Sequence, residues 1–254
     1  MKAVIAIACA AAALCAQTTG ADRFAVSTIK PSRPEEGYSV VVQGRRFFTR
    51  QTSLKELIGY AYMMHIRQIV GGPDWVETEK FDIDAETDRD VKLTQPVARA
   101  MAQQLLADRF HLAMHPDRKE LSVYAVMKGN EAPKLTRSAG NDYGFGTVGI
   151  QAFGQMTVTN ATMGEFANFL QRYVLDRPVL DQTGMEGRYD LLLQWAADDS
   201  QFNGRGGQMP KLKTSFEPPD IFGAFREQLG LRLVAKKDLA PVMAVDRVER
   251  PGEN

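Results

Sequence analysis

The sequence predicts an α+β fold of two tandem, pseudo-symmetric copies of about β-β-α-β-β-α-β-β, with mainly antiparallel sheets and helices packed on one face. Three observations predict it. First, residues 46–58 (RFFTRQTSLKELI) and 155–167 (QMTVTNATMGEFA) read as the same unit. Each has a short strand, a Ser/Thr helix cap (Ser53, Thr162), an apolar residue (Leu54, Met163), an acid (Glu56, Glu165) and a second apolar residue (Leu57, Phe166). Second, later anchors recur in the same order. Lys80-Phe81-Asp82-Ile83 answers Arg188-Tyr189-Asp190-Leu191, and Tyr124-Ala125-Val126 answers Met243-Ala244-Val245. Between them, the helix with Leu105, Leu106, Arg109 and Phe110 answers the one with Ala224, Phe225, Gln228 and Leu229. Third, the expected strands come in adjacent pairs with helices between them, the order of α+β layers and not of a doubly wound parallel sheet. The copies are 17–137 and 138–254, forming one compact unit. Ser53 and Thr162 lie 109 residues apart, Asp82 and Asp190 108 apart, Tyr124 and Met243 119 apart. One insertion in the polar stretch 197–217 accounts for the change.

Taken in order, Phe24–Lys30 reads as a strand ended by Pro31. Tyr38–Val42 and Arg46–Arg50 flank Gly44 as a hairpin. Ser53 then caps a helix whose Leu54, Leu57, Ile58 and Ala61 share a face. Ile66–Val70 reads as a strand broken by Gly71-Gly72-Pro73. Lys80–Ala85 alternates, with Phe81, Ile83 and Ala85 on one face and Asp82 and Asp84 on the other. Residues 95–109 form a helix with Pro96 in its first turn. Phe110–His115 and Leu121–Lys128 read as two strands around a polar turn. Residues 138–146, rich in Gly, Asn and Asp, read as the joint between copies. The second copy then has strands near 147–159, a helix at 162–174, strands at 178–181 and 187–195, a helix at 218–229, and strands at 230–235 and 241–247. Phe24-Ala25-Val26 resembles Met243-Ala244-Val245, which suggests that the two chain ends meet in one sheet system.

Residues 1–16 have the pattern of a cleaved secretory signal: Lys2, then an unbroken run of small and apolar residues from Ala3 to Ala16. An uncleaved N-terminal anchor is the other reading, and the residues before Cys15 make a poor lipidation box. Both cysteines, Cys9 and Cys15, fall in this leader, so the mature chain is expected to lack disulfides, thiolate metal sites and a cysteine nucleophile. Composition is 44% apolar, enough for a core without staples. With 31 basic and 31 acidic residues and no basic block, nothing points to nucleic acid or to stable membrane insertion after signal cleavage. The expected location is secreted or periplasmic.

Candidate chemistry is sparse. HLAMH places His111 and His115 at a spacing that suits a metal on a helix, but the segment reads as a strand and lacks the HExxH acid. His65 reads as a partner of the preceding helix's C-terminal dipole. No metal site and no cofactor is expected. Asp82 and Asp190 are the sharpest polar pair. Two related carboxylates near a pseudo-twofold axis suit shared-proton chemistry, but neither sits in a tight Asp-Thr/Ser-Gly loop. The structural reading makes each an acceptor for backbone N–H groups of the preceding loop. Trp75, after Gly71-Gly72-Pro73-Asp74, reads either as a packed ring under a turn or as a ligand platform. Trp75, Asp82 and Asp190 are therefore the candidate binding residues. No GxSxG, SxxK, GxGxxG or GxxxxGK[ST] pattern is present.

An ordered series of motifs carries a family resemblance: FAVSTIKPS, TSLKELIGYAY, QIVGGPDWVETEKFDIDAE, LLADRFHLAMH with LSVYAVMKG, RPVLDQTGMEGRYDLLLQW, FREQLGLRL and VDRVERPGEN. Across 24–254 the chain resembles the soil-associated family of uncharacterised exported proteins expanded in Acidobacteria. Similar domains are fused behind membrane metallopeptidase sensors of the beta-lactam-sensor type, and this resemblance implies a sensing or binding role outside the cytoplasm. No catalytic residue transfers with it. The combined expectation is an exported, non-enzymatic module that binds an unknown small ligand or an envelope protein. A hydrolase with a site between the copies is the alternative, and a structural envelope protein the second alternative.

Overall fold

The computed structural model describes residues 23–33, 37–88, 92–140, 146–152, 154–202 and 217–252. The leader with Cys9 and Cys15, residues 141–145 of the expected joint and residues 203–216 of the expected insertion lie outside the described residues. The fold is α+β, with twelve strands and five helices among the described residues. No described helix is long and apolar enough to cross a membrane.

Three four-stranded sheets form. In the first, β1 (Val26–Pro31), β2 (Ser39–Gln43), β3 (Arg46–Ser53) and β5 (Lys80–Glu86) take the order β1-β5-β3-β2, antiparallel throughout. Gly44, at φ 59, makes the tight β2–β3 turn. The period-two pattern holds: Phe81, Ile83 and Ala85 are buried and Asp82 and Asp84 lie on the other face. In the third sheet, β7 (Thr136–Arg137), β8 (Thr147–Ala152), β9 (Gln155–Ala161) and β11 (Tyr189–Gln194) take the order β7-β11-β9-β8, again antiparallel.

The second sheet is built on two long strands, β6 (Ala113–Lys128) and β12 (Leu231–Arg247), paired antiparallel along their whole length. Two short strands flank them in parallel: β4 (Ile69–Gly71) on β12, and β10 (Val179–Asp181) on β6. β4 thus pairs with the long strand farther from it in sequence, and β10, about equally far from both, pairs with the earlier one.

Helices follow their sequence signals. α1 (Leu54–Tyr62) and α4 (Met163–Tyr173) open with complete capping boxes, Ser53 with Glu56 and Thr162 with Glu165. α3 (Gln95–Phe110) has Pro in its first turn. α5 (Ile221–Leu229) is capped by Asp220 and ended by Gly230 at φ 66. A short α2 (Trp75–Thr78) separates β4 from β5. The buried apolar faces gather into two cores. One holds Phe47, Leu54, Leu57, Ile58, Phe81, Leu106 and Phe110; the other holds Met156, Phe166, Leu170, Trp195, Phe225 and Leu229. Each such side chain contributes about 1.5–3 kcal/mol by leaving water.

Four expectations need correction. Phe110–His115 and Leu121–Lys128 are not two strands about a turn: Ala113–Lys128 is one strand, and so is Leu231–Arg247. The polar residues 115–120 look like a turn because both faces are wet, but partners on β12 hold them extended. Pro116 and Pro241 are tolerated there because much of each long strand has only one neighbour. Ile66–Val70 is a strand only from Ile69; residues 66–68 form a 3-10 turn. The chain ends do not share a sheet, since β1 pairs with β5 and β12 with β6 and β4. Lastly, His111 is no strand residue but the left-handed C-cap of α3, at φ 47.

Candidate functional site

The expected site residues occupy separate places. Asp82 lies on β5 of the first sheet and Asp190 on β11 of the third. Each serves a kink in the neighbouring strand. The β3–β5 register slips between Thr49 and Thr52, and the β9–β11 register slips between Tyr189 and Leu191. At these bulges Gln51 and Asn160 take positive φ, 50 and 51. Asp82 Oδ1 accepts from Gln51 N at 3.0 Å and from the Ser32 hydroxyl. Asp190 Oδ1 accepts from Asn160 N at 2.7 Å. The donors therefore come from the adjacent strand, not from the preceding loop, because a bulge leaves an N–H without its ladder acceptor. Beside each carboxylate a cation meets the helix-cap acid: Lys80 Nζ lies 2.8 Å from Glu56, and Arg188 Nη1 2.9 Å from Glu165.

Trp75 opens α2 and is 9% exposed. It meets Phe81 edge-on at 6.4 Å, and the Arg250 guanidinium stacks 5.1 Å over its other side. Arg250 in turn holds Glu79 with both arms of its fork. The ring is thus enclosed on both sides.

The histidines are apart. His65 does not serve the helix before it; its Nδ1 accepts from Arg67 N at 3.1 Å and caps the 3-10 turn. Burial, reinforced by the Arg67 charge, pushes its pKa down to about 4. His115 Nδ1 lies 2.8 Å from Asp246, and His111 Nε2 3.9 Å from Glu249. Among the described residues no cluster of three or more His, Cys, Asp or Glu side chains is placed to hold a metal ion.

A group that sequence patterns do not reveal lies where α1, α3 and α4 approach. Arg99 of α3 stacks 5.8 Å over Tyr60 of α1. Arg172, in the last turn of α4, stacks 4.8 Å over Tyr173, whose ring packs 4.7 Å from Phe169. Met63, the left-handed C-cap of α1, joins the helices: its carbonyl accepts from Asn168 Nδ2 at 3.0 Å, and its sulfur lies 3.3 Å from Arg99 Nη1. The Tyr60 phenol is raised to about 12, chiefly by burial, with Arg99 and Arg172 pulling it down and the Tyr173 phenol pushing it up. Burial also disfavours the Arg172 cation, and Arg99 adds like-charge repulsion. The two guanidiniums and two phenols thus share one electrostatic neighbourhood.

What is missing is an acid. Among the described residues neither Arg99 nor Arg172 has a carboxylate within ion-pair distance, while Arg50, Arg177, Arg188 and Arg250 each have one. Among the described residues Arg99 Nε is buried without a hydrogen-bond partner. Around the pair the surface is apolar and open: Tyr38 is 52% exposed, Tyr173 43% and Met63 39%. Burial, then the Glu56 carboxylate and the Tyr173 phenol, raise the Tyr38 phenol. Only the adjacent Arg172-Tyr173 is visible in sequence, and Arg99 reaches it through helix packing. A separate open groove of about 670 Å³ runs along Leu231–Ala235, under Phe222 and Arg226. Its α5 cation is already matched, Arg226 by Glu227 at 3.2 Å.

No curated protein matches the chain, and no solved structure does. Residues 55–248 match the family described as Protein of unknown function (DUF3738), and the chain belongs to that family.

Proposed function

We propose that the chain is an exported, non-enzymatic binding module made by duplication, and that it binds its ligand on the Arg99–Arg172 surface. The observation that carries the binding reading is the pair of partly buried guanidiniums set among open aromatic rings without an acid. Buried cations are normally paired. A site that keeps two together unpaired gives up stability, and such sacrifices concentrate at functional positions.

Register supports the duplication. Glu120 faces Leu239 at the centre of the long ladder. A shift of 119 residues turns the Leu121–Asp238 pair into Ala240–Lys119, which is also a pair of that ladder. The same shift carries Tyr124 onto Met243, and their parallel partners, Val179 and Ile69, lie 110 residues apart, near the offset of the two helix caps. The two bulges, two bulge-serving aspartates and two capping boxes obey the equivalence as well. We also propose that the family is the soil-associated one, expanded in Acidobacteria and fused to sensor metallopeptidases, a reading supported by the ordered motifs.

The test is direct. The purified chain is incubated with native envelope extract and washed, and retained small molecules are identified by mass spectrometry. Wild type is expected to retain a discrete species that the Tyr38→Ala/Tyr173→Ala double variant does not. Equal retention by both, or none by wild type, refutes the surface.

A further inference from the structure

The Arg99–Arg172 surface also states what its ligand carries. Resting on the binding reading above, we infer that this surface binds an oxyanion, a carboxylate or phosphate group, held between the Arg99 and Arg172 guanidiniums with the rest of the ligand against Tyr38, Tyr173 and Met63. Four observations lead there. The two cations come from different helices, α3 and α4, and Met63 links them: its sulfur lies 3.3 Å from Arg99 Nη1, and its carbonyl accepts at 3.0 Å from Asn168, one turn before Arg172. Each guanidinium has one face stacked on a tyrosine ring, at 5.8 and 4.8 Å. Stacking fixes the plane of the group and directs its N–H donors sideways, the geometry that grips a carboxylate or phosphate with two parallel bonds. Among the described residues, Arg99 Nε is a buried donor with no acceptor, and Arg99 Nη1 has only a thioether sulfur at 3.3 Å. A sulfur is a weak acceptor that an oxyanion readily displaces.

The neighbourhood adds selectivity. Acids near the surface are already engaged: Glu56 binds Lys80 and the Ser53 hydroxyl. The Tyr60 hydroxyl donates to Gln95 Oε1 at 3.0 Å, which leaves its ring as a wall. Met63 and Tyr173, both exposed, offer an unbranched thioether and a flat ring, surfaces that adapt to an apolar or planar ligand body. An inorganic ion satisfies only the guanidiniums. A ligand with an anionic end and a flat or apolar body satisfies the whole patch.

The experiment measures thermal midpoints and calorimetric binding with the full chain. The probes are inorganic phosphate and malonate, against chloride at matched ionic strength, since a specific ligand stabilises the folded state by mass action and a screening salt does not. Saturable stabilisation by phosphate or malonate beyond chloride is expected. A stronger response to phosphate assigns a phosphate-bearing ligand, and a stronger response to malonate a carboxylate-bearing one. Arg172→Gln and Arg99→Lys should each weaken binding by about tenfold or more, the first by losing charge and the second by losing the fork. Arg226→Gln, in the distant groove, should leave it unchanged. Without anion, Arg172→Gln should melt no lower than wild type, which a purely structural arginine would not allow. If Arg172→Gln does not fold, Arg99→Lys decides alone, because it keeps the charge and most of the packing. Anion stabilisation no greater than that of chloride, or equal in wild type and the arginine variants, overturns the inference. Ligand retention that depends on Tyr38 and Tyr173 with no anion effect overturns it too, and leaves the surface reading standing.

Discussion

Removing the Asp82 carboxylate should destabilise the first sheet without touching a binding surface. Gln51 sits at a bulge with φ 50, a conformation that costs a non-glycine residue about 1 kcal/mol. Its N–H has lost its ladder acceptor to the register slip between Thr49 and Thr52, and Asp82 Oδ1 replaces that acceptor at 3.0 Å. The same oxygen accepts from the Ser32 hydroxyl and so ties the end of β1 to β5. A hydrogen bond to a charged acceptor is worth about 1.5–3 kcal/mol when buried. Asp82 is only partly buried, so about 1–2 kcal/mol is expected for Asp82→Ala. Asp82→Asn keeps an acceptor oxygen and should cost about 0.5–1 kcal/mol. In a domain of this size each kcal/mol moves the thermal midpoint by about 2–4 °C, so the alanine variant should melt about 2–8 °C low. Asp190→Ala, which frees Asn160 N from its 2.7 Å acceptor, should behave alike. The two sites lie in different sheets, so their losses should add to within about 0.5 kcal/mol. Urea midpoints and calorimetric melting of the two single variants and the double variant measure this. Alanine variants as stable as the parent would refute the structural role and turn attention back to the carboxylates as a binding or catalytic pair.

Three further outcomes are expected. His65 is held at about 4 by burial and then by Arg67, against an ordinary 6.5, with Asp176 opposing, so the unfolded chain takes up the proton first. Stability should be full above pH 6.5 and fall as pH drops toward 4, by at most about 3 kcal/mol, and less in proportion to the part of the ring that water reaches. His65→Asn, which can still cap the turn, should flatten the urea-midpoint profile across that window. Gly154 has φ 87, and a Cβ there would lie 2.2 Å from the Trp195 carbonyl oxygen, whereas a Cβ on Gly149 meets nothing within 4 Å. Gly154→Ala should therefore cost about 2 kcal/mol or more in urea denaturation, with Gly149→Ala near neutral. Finally, fragments 17–137 and 138–254 should each unfold without cooperativity alone and recover a cooperative transition when mixed, because β4 needs β12 and β10 needs β6. Cooperative melting of either isolated fragment would overturn that reasoning.

Local chemistry was legible in the chain, and long-range chemistry was not. Ser53 with Glu56 and Thr162 with Glu165 announce helix starts because a capping box is complete within four residues. The alternation at Lys80–Ala85 announces a strand with Phe81, Ile83 and Ala85 inward because side chains change face at every residue. Tertiary structure alone decided that polar residues 115–120 extend instead of turning, since partners on β12 hold them. It alone decided that β4 passes over β6 to pair with β12, and that β10 pairs back with β6. It also chose the donors for Asp82 and Asp190, which come from bulges about 30 residues upstream, as Gln51 and Asn160 show. The Arg99–Arg172 pair belongs wholly to this second class. Seventy-three positions separate the two residues in the chain, and no local pattern encodes a link made through Met63, whose sulfur meets Arg99 and whose carbonyl meets Asn168 of α4.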